Sequence, residues 1–375
     1  MDRKVRTMKK AKLTLVACIV ALTMGMMALS GCAADDSAKP AEQQGQETQS
    51  YAPISVAYLN KAGYEDIIVG DKQGYFAEAG PEVTLHAVTG SGQQSVEALL
   101  AGSVDIAATG QGPVADAIKQ YGDDIVILAC SNCYTGGQVL LAGPGMTGDA
   151  QIVAYDKTKD NKDEVRTSFE SAAQAKGAAI KVGVQKGATT ESELKAWLKA
   201  MGVTFNDFGI EGDGVVTLVD VKANTLPTTL ATGTDIDMMA ASQPYPDTAL
   251  SQIPGTYRVG TNADIDSYSL ACLITTKDVY AEKEASIKAF LEAEAKTVAF
   301  MNEQPDAAMK ICADSIGTDM DSVKAAFDIA DFKIGMTSQM FDTLQKTCAK
   351  KGVEITVDQL KEQTPLLTWM EATLS

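Results

Sequence analysis

The sequence predicts an α/β protein built as two similar lobes. Short apolar runs alternate with segments whose apolar residues recur at helical spacing, which is the pattern of an α/β fold. Two rounds of this alternation also echo each other. A strand that begins at Val104 ends at residues 111–113, and a later strand that begins at Ile236 ends at residues 243–244. Two echoing rounds in one chain favour two lobes with a cleft between them.

The elements of the first round are bounded by glycine and proline. Each predicted strand is a run of four to seven residues rich in Val, Ile and Leu, and each helix carries apolar residues three or four apart. The predicted strands lie at residues 54–59, 83–88, 104–108, 125–129 and 138–142. The predicted helices lie at residues 64–76, 93–101 and 113–121. This order is typical of a sheet with helical crossovers.

The second round begins after a polar stretch, residues 146–174, which we interpret as an irregular surface excursion where the chain crosses between lobes. The predicted strands of this round lie at residues 180–185, 215–221 and 236–241, and the helices at 191–201 and 225–232. A last strand is expected at residues 269–276. Everything after it is predicted to be helical, with amphipathic segments at 287–301, 307–316, 320–329, 336–350 and 357–374.

The N-terminal segment has the pattern of an export signal. Six basic residues precede an apolar run at residues 13–29, which is too short for a comfortable membrane-spanning helix. The following Leu-Ser-Gly-Cys, residues 29–32, resembles the lipobox of bacterial lipoproteins. We expect residues 1–31 to be a lipoprotein signal peptide and Cys32 to be lipidated, which anchors the protein to the outer face of the cell membrane. An ordinary signal peptide with an incidental cysteine is the alternative.

Residues 32–50 are mostly polar and contain no aromatic side chain. Because such a composition cannot bury a core, we predict that this segment is a flexible tether. Removing residues 1–31 takes the net charge from −17 to −22, since that segment carries six positive charges and one negative. Such a surplus argues against nucleic acid as a partner. Beyond residue 31 the chain holds one histidine, His86, and two arginines, Arg166 and Arg258. We therefore expect no histidine-based catalysis, no metal and no cofactor.

The cysteines after Cys32 do not form a disulfide framework, because five of them lie at scattered spacing. Cys130 and Cys133 form a single CxxC motif. A redox pair, half of a zinc site and a small-loop disulfide are alternative interpretations of that motif. We expect small, partly buried thiols.

Three breaks rich in glycine, serine and threonine lie between a strand and a helix, at residues 90–92, 110–112 and 187–190. Glycine allows a ligand to approach the backbone, and the first turn of a helix offers free N–H groups beside a positive dipole end. In open α/β sheets, ligands bind beyond the carboxyl ends of the strands, where these breaks fall. Each break is alternatively a plain helix cap. None has the pattern of a nucleotide-binding loop.

These segments carry a resemblance to a known family. The sequence resembles the substrate-binding proteins of nitrate, sulfonate and taurine ABC importers. In the first round the resemblance lies in Gly74-Tyr75-Phe76, the break at 90–92 and residues 97–113, and in the second round it lies in residues 181–190 and 237–244. The resemblance covers most of residues 53–300. It implies a type II periplasmic-binding-protein fold, with lobe 1 at residues 51–140 and 268–375, lobe 2 at 141–267, and a hinged cleft between them.

The resemblance also implies which residues face the cleft. The expected ligand-binding residues are Asn60, Lys61, Tyr64, Ser91, Gly92, Gln93, Gly110, Gln111, Tyr134, Thr135, Gly136, Thr189, Thr190, Glu191, Gln243, Tyr245 and Tyr268. No arginine falls in these loops, although arginine is a favoured clamp for oxyanions. Lys61 and Lys186 are the available point charges. Four tyrosines and Glu191 suit a planar or cationic organic ligand as well as a sulfonate, and make nitrate a weaker expectation.

The resemblance implies a binding protein and not an enzyme. Its expected partners are a small organic ligand, an ABC permease and its ATPase, and we expect a monomer that captures the ligand by closing its lobes. A ligand sensor that signals to a membrane partner uses the same physics and stays an alternative. An enzyme similar to the thiamin-pyrimidine synthases of this superfamily is a further alternative. Those enzymes depend on a clustered-cysteine motif and an active-site histidine, whereas His86 falls within a predicted strand here.

Overall fold

The structure is a computed structural model that describes residues 50–374. The predicted signal peptide, the lipidation of Cys32 and all but the last residue of the predicted tether lie outside the described residues. The described strands are β1 (Ile54–Leu59), β2 (Val83–Val88), β3 (Ile106–Gly110), β4 (Ile125–Thr135), β5 (Gln138–Ala142), β6 (Ile180–Val184), β7 (Phe205–Asn206), β8 (Val216–Asp220), β9 (Met238–Ser242), β10 (Tyr257–Thr261), β11 (Tyr268–Thr276) and β12 (Ala330–Gly335).

Helices connect these strands and form most of the C-terminal part. They are α1 (Glu65–Gln73), α2 (Gly92–Leu100), α3 (Gln111–Tyr121), α4 (Lys162–Lys176), α5 (Thr189–Ala200), α6 (Leu226–Thr232), α7 (Tyr245–Gln252), α8 (Lys277–Glu303), α9 (Pro305–Ile316), α10 (Met320–Asp328), α11 (Ser338–Lys350), α12 (Val357–Glu362) and α13 (Leu367–Thr373). The predicted α/β class is therefore confirmed.

The strands form two six-stranded sheets, and we call the residues packed around each sheet a lobe. The first sheet has the order β12-β4-β11-β3-β1-β2, and the second has the order β10-β5-β9-β6-β8-β7. In each sheet a parallel group is extended by antiparallel strands. The chain passes between the sheets twice, from β4 to β5 and from β10 to β11. The boundary predicted at residue 140 falls inside β5, which pairs with β9 of the second sheet.

Side-chain alternation explains how the second sheet is covered on both faces. Along β5, Val139 and Leu141 face one apolar cluster, while Leu140 and Ala142 face another. Successive side chains of a strand point to opposite faces, so an apolar run of this kind must be buried on both. The strand is therefore held in register by two cores at once.

Two predictions about the connections are wrong. The second half of the polar stretch 146–174 is part of helix α4, which buries Val165, Phe169 and Ala172 in the core of the second lobe. These three residues are spaced at i, i+4 and i+7, but the charged residues between them obscure that period. The C-terminal part is also not helical throughout, because β12 pairs antiparallel with β4. Its residues alternate apolar and polar over only six positions.

Candidate ligand-binding site

A cleft lies between the two sheets and is lined by both lobes. It encloses about 640 Å³ of space free of protein atoms, part of it open to solvent. Its lining residues are Lys61, Ala62, Gly63, Tyr64, Ser91, Gly92, Gly110, Gln111, Pro113, Asn132, Tyr134, Gly137, Gln138, Ala188, Thr189, Thr190, Ser242, Gln243, Ser269, Leu270 and Ala271. Glycines, hydroxyls and amides dominate this lining, which suits hydrogen bonding to a small polar group.

Three helices begin at the cleft. Ser91, Gly110 and Ala188 are the N-caps of α2, α3 and α5, and each is a lining residue. The first N–H groups of a helix have no acceptor within the helix, and its N-terminus carries a partial positive charge. Three such ends at one cleft favour an anionic group through their positive potential, while Ser91 Oγ already caps the Gln93 N–H at the start of α2. All three positions lie in the breaks singled out in the sequence.

The N-termini of α3 and α5 touch across the cleft. The backbone N–H of Gly112 donates to Thr189 Oγ1 over 3.3 Å. A Cβ atom at Gly110 would overlap Thr189 Oγ1, and one at Gly112 would lie 3.1 Å from the Cα of Thr189. The contact between the lobes therefore requires glycine at residue 110 and leaves little room for a side chain at 112.

Lys61 is the one charged residue among the cleft-lining residues that the structure describes. Its ammonium group donates to Ser242 Oγ of the second lobe over 3.2 Å, and no described carboxylate lies within ion-pair distance of it. Burial lowers the pKa of Lys61 to about 8, and the nearby Glu65 opposes that shift. A half-buried ammonium without a partner carboxylate is stabilised by a bound anion.

A buried carboxyl group lies behind this wall of the cleft. The hydroxyl of Tyr134 donates to Glu65 Oε2 over 2.6 Å, and the backbone N–H of Gly63 donates to the same oxygen over 2.8 Å. Glu65 is almost fully buried, and burial raises its pKa to about 7. Deeper still, burial also raises the pKa values of Asp66 and Glu294. Partial protonation of Glu65 near pH 7 reduces its negative charge, so it opposes an anion in the cleft only weakly.

Two amides that line the cleft are occupied in holding its frame. Gln111 donates from Nε2 to the Tyr268 carbonyl and accepts from the Leu270 N–H, over 2.7 and 2.9 Å. Asn132 accepts from the Ala271 N–H over 3.1 Å. These bonds tie α3 and β4 to β11. They fix the position of the cleft wall and leave the two amides with little capacity to bind a ligand.

Other lining groups are free to bind. No described residue forms a hydrogen bond with the hydroxyl of Tyr64, and the side-chain oxygen of Gln243 is buried without a partner among the described residues. The Tyr64 hydroxyl, Lys61 and the helix N-termini therefore offer hydrogen-bond donors to a small molecule. Unpaired buried polar groups are costly, so a ligand that pairs with them is bound more tightly.

The structure brings ten of the predicted residues to the cleft. They are Lys61, Tyr64, Ser91, Gly92, Gly110, Gln111, Tyr134, Thr189, Thr190 and Gln243. Seven others do not line it: Asn60, Gln93, Thr135, Gly136, Glu191, Tyr245 and Tyr268. Asn60 is exposed and donates to the Ser315 carbonyl over 2.8 Å. Tyr245 packs against the apolar cluster that Val139 and Leu141 of β5 face, and Tyr268 packs against the core of the first lobe.

Hydrogen-bond partners close to Glu191 in the chain explain why its carboxylate does not face the cleft. Its carboxylate accepts from the Gly187 N–H over 2.6 Å and from Lys195 Nζ over 2.6 Å. Lys195 in turn contacts Asp207. The carboxylate therefore closes the turn before α5 and joins a surface network, instead of lining the cleft.

Several lining residues were not predicted from the sequence. Asn132, Gly137, Gln138, Ser242, Ser269, Leu270 and Ala271 lie within or beside strands. They belong to β4, β5, β9 or β11 or to the turn between β4 and β5, close to where the chain passes between the lobes. The period of an apolar strand does not show which of its ends faces a cleft, so these residues were hidden in the pattern.

The thiols lie away from the cleft. Cys130, Cys133, Cys272, Cys312 and Cys348 are free and buried, as expected for small packed thiols, and none is a lining residue. Cys130 Sγ lies 3.3 Å from Cys272 Sγ, and the hydrogen bond between them, with burial, raises the pKa of Cys130. Raised pKa values keep thiols unreactive. Over residues 50–374, no group of candidate ligands could hold a metal ion, and no helix is long and apolar enough to cross a membrane.

Comparison with models of protein families identifies the family of this chain. The model of the NMT1-like family matches residues 47–315, which is most of the sequence, and the chain therefore belongs to the NMT1-like family. None of the curated protein sequences is significantly similar to it.

Solved structures with the same fold support the predicted fold class. The periplasmic aliphatic sulphonate binding protein SsuA from Escherichia coli is 16% identical, with a TM-score of 0.61 over 83% of this chain and 92% of that one. The periplasmic nitrate-binding protein NrtA from Synechocystis is also 16% identical, with a TM-score of 0.59 over 86% and 89%. A cysteine-to-serine mutant of DszB in complex with biphenyl-2-sulfinic acid is 14% identical, with a TM-score of 0.57 over 84% and 96%. The periplasmic-binding-protein fold is thus confirmed.

Proposed function

We propose that this protein captures a small organic anion outside the cytoplasm and delivers it to an ABC permease with its ATPase. The observation that carries the proposal is the cleft itself, where Lys61 and three helix N-termini converge and no acidic side chain is present among the described lining residues. Positive potential in a polar cleft that no lining carboxylate offsets favours a negatively charged ligand. Similar folds support this function, since two of them are named for binding a sulphonate and nitrate.

A sulfonate or a related organic acid fits the cleft better than a cation. The sequence left a planar or cationic organic ligand open beside a sulfonate, because Glu191 and several tyrosines were expected to face the cleft. Glu191, Tyr245 and Tyr268 are not lining residues, and the Glu191 carboxylate is paired with Lys195. A cation in the cleft would meet Lys61 without a carboxylate to balance it. Tyr64 and Tyr134 remain as aromatic walls for the organic part of the ligand.

We further propose that binding closes the two lobes. The α3 and α5 N-termini meet at Gly112 and Thr189, and Lys61 of the first lobe contacts Ser242 of the second. An anion that accepts hydrogen bonds from both helix ends joins the lobes, since each end would otherwise oppose the other electrostatically. We keep Cys32 as the proposed point of lipid attachment and the monomer as the proposed state.

An enzyme on this fold is the second candidate, favoured by the fold shared with DszB, a mutant of which was solved in complex with an aryl sulfinic acid. In this chain, none of the described cysteines lines the cleft, and the only histidine of the sequence, His86, lies on the exposed side of β2. A thiol nucleophile and an imidazole base are therefore not present among the described lining residues. We propose a binding protein for this reason.

A thermal-shift screen of the purified protein tests the function. The panel contains nitrate, alkyl sulfonates, taurine, aromatic acids, thiamin-type pyrimidines and polyamines. A ligand at about 100 to 1,000 times its Kd stabilises a protein by ~3–4 kcal/mol, which raises the Tm by several degrees. We expect the organic anions to produce the shift and the polyamines to produce none. A shift with polyamines alone would overturn the proposal, and conversion of any compound to a product would favour the enzyme.

A further inference from the structure

A second, smaller cavity adjoins the ligand cleft inside the second lobe. It spans about 240 Å³ of space free of protein atoms, part of it open to solvent, and lies between α5 and the strands β5 and β9. Its lining residues are Gln138, Val139, Leu140, Thr190, Glu193, Leu194, Trp197, Ala240, Gly260, Thr261 and Asn262. Two of them, Gln138 and Thr190, also line the ligand cleft. The two spaces therefore share a wall that consists of these two side chains.

The shared wall is held by hydrogen bonds between side chains. Thr190 Oγ1 donates to Gln138 Oε1, and Gln138 Nε2 donates to Ser269 Oγ over 3.0 Å. Gln138 has three rotatable side-chain bonds and is only half-buried. A rotation of Gln138 away from Thr190 breaks this hydrogen bond and needs no backbone change.

The polar groups of the small cavity already have protein partners. Glu193 is paired with Lys350 over 3.2 Å, Trp197 Nε1 donates to Asp264 over 2.9 Å, and Asn262 Nδ2 donates to Ser269 Oγ over 3.2 Å. The remaining side chains on this face are apolar: Leu140, Leu194, Ala240 and the ring of Trp197. A space whose polar groups are satisfied offers its occupant only apolar contact.

We propose that this small cavity is a subsite for the short apolar tail of the organic anion whose charged head binds at Lys61. The inference rests on the proposed function and adds the ligand's second chemical feature. The tail passes between Gln138 and Thr190 and packs against Leu194, Ala240 and Trp197. Burial of apolar surface contributes about 0.8 kcal/mol per methylene, which corresponds to about fourfold in affinity. Selectivity for chain length is thus determined in the second lobe.

The test compares methane-, ethane-, propane- and butanesulfonate by calorimetric titration of the purified protein and of Ala240→Val, which adds two methyl groups inside the small cavity. Ala241→Val is the matched control, because Ala241 is the next residue of β9 and faces the opposite core. Leu194→Phe fills the same cavity from α5 and replaces Ala240→Val if that variant does not fold. Thermal unfolding without ligand checks that each variant is folded.

We expect affinity to rise about fourfold per methylene in the unaltered protein and in Ala241→Val until the cavity is full. In Ala240→Val the gain should be lost while methanesulfonate still binds. Binding of methanesulfonate with no gain along the series would overturn the subsite and leave the proposed function intact. A gain that persists in both filling variants would overturn it as well. Binding of no sulfonate at all would overturn both proposals.

Discussion

The two lobes contribute different chemistry to the cleft. The first lobe supplies Lys61, two helix N-termini and the buried pair of Tyr134 and Glu65. The second supplies one helix N-terminus and neutral groups, chiefly Thr189, Ser242 and Gln243. The charge is thus on one side and the closing surface on the other. On the proposed function, we expect the first lobe to determine whether an anion binds, and the second to determine how tightly it is enclosed and which tail it carries.

The largest effect is expected from Lys61→Met. The side chain keeps its length but loses its charge, and a hydrogen bond to a charged group contributes about 1.5–3 kcal/mol. The affinity for methanesulfonate should fall by about 10- to 100-fold in a calorimetric titration. Lys186→Met is the matched control, since Lys186 is an exposed lysine beside the α5 N-terminus that does not line the cleft. Equal losses in both variants would mean that general surface charge, and not Lys61, attracts the anion.

The second-largest effect on affinity is expected from Gly110→Ala, which disturbs the contact between the two lobes. The added methyl group would overlap Thr189 Oγ1 when the lobes meet. We expect affinity to fall about tenfold, since overpacking of a close contact costs about 1–3 kcal/mol. The control is the same substitution in a Thr189→Ala background, where the overlapping oxygen is gone. A loss of equal size in both backgrounds would show that Gly110 acts within the first lobe and not in closure.

A smaller effect is expected from pH. The pKa of Lys61 is lowered to about 8 by burial, so the ammonium loses its proton as pH rises through that value. The pKa of Glu65 is raised to about 7, so this neighbour becomes negative over a similar range. Both changes disfavour an anion as pH rises. Affinity for methanesulfonate should therefore fall severalfold between about pH 6.5 and about pH 9. Lys61→Met should lose the alkaline part of this dependence, and an unchanged profile in that variant would assign it to other groups.

Glu65 makes a separate prediction for stability without ligand. Its pKa is about 7 in the folded protein and near 4.5 when unfolded, so the folded state binds the proton more tightly. The free energy of unfolding should therefore decline as pH rises from about 4.5 to about 7, and Glu65→Gln should reduce that decline. Chemical unfolding at several pH values measures it. A decline of the same size in Glu65→Gln would assign the effect to Asp66 and Glu294.

The smallest effect is expected from Asn60→Ala. Asn60 directly precedes Lys61, but its amide donates to the Ser315 carbonyl and is exposed away from the cleft. Affinity should stay within about twofold of the unaltered protein, as for most surface substitutions. A tenfold loss in the same titration would place this loop closer to the ligand than the structure does.

The parts of the fold that sequence periodicity predicted best are its strongly apolar strands. The bounds expected for β1, β2 and β5 match the structure, because each run is bounded by glycine, proline or polar residues. The elements that the sequence analysis did not predict have a weak or obscured apolar periodicity. In α4 the buried residues are separated by charges, and β12 is a six-residue strand among helices.

The residues of the candidate site likewise divide into those that the sequence predicted and those that it did not. Breaks rich in glycine and threonine indicated the helix N-termini at Gly110 and Thr189, since a helix start has a local sequence pattern. Glu191 and Lys195 stand four residues apart in a predicted helix, a spacing that favours an ion pair along the helix, but the resemblance implied that Glu191 faces the cleft. Gln138 and Ser269 come together only when both crossings between the sheets are formed.

The most direct test of the central claim compares two molecules of nearly the same shape. Methanesulfonate carries a negative charge, and dimethyl sulfone is its neutral counterpart, with a methyl group in place of one oxygen. Calorimetric titration of the purified protein should show that methanesulfonate binds and that dimethyl sulfone binds at least about tenfold more weakly, because Lys61 and three helix N-termini favour the charge. Equal affinity for the two molecules would contradict the claim that the cleft selects an anion.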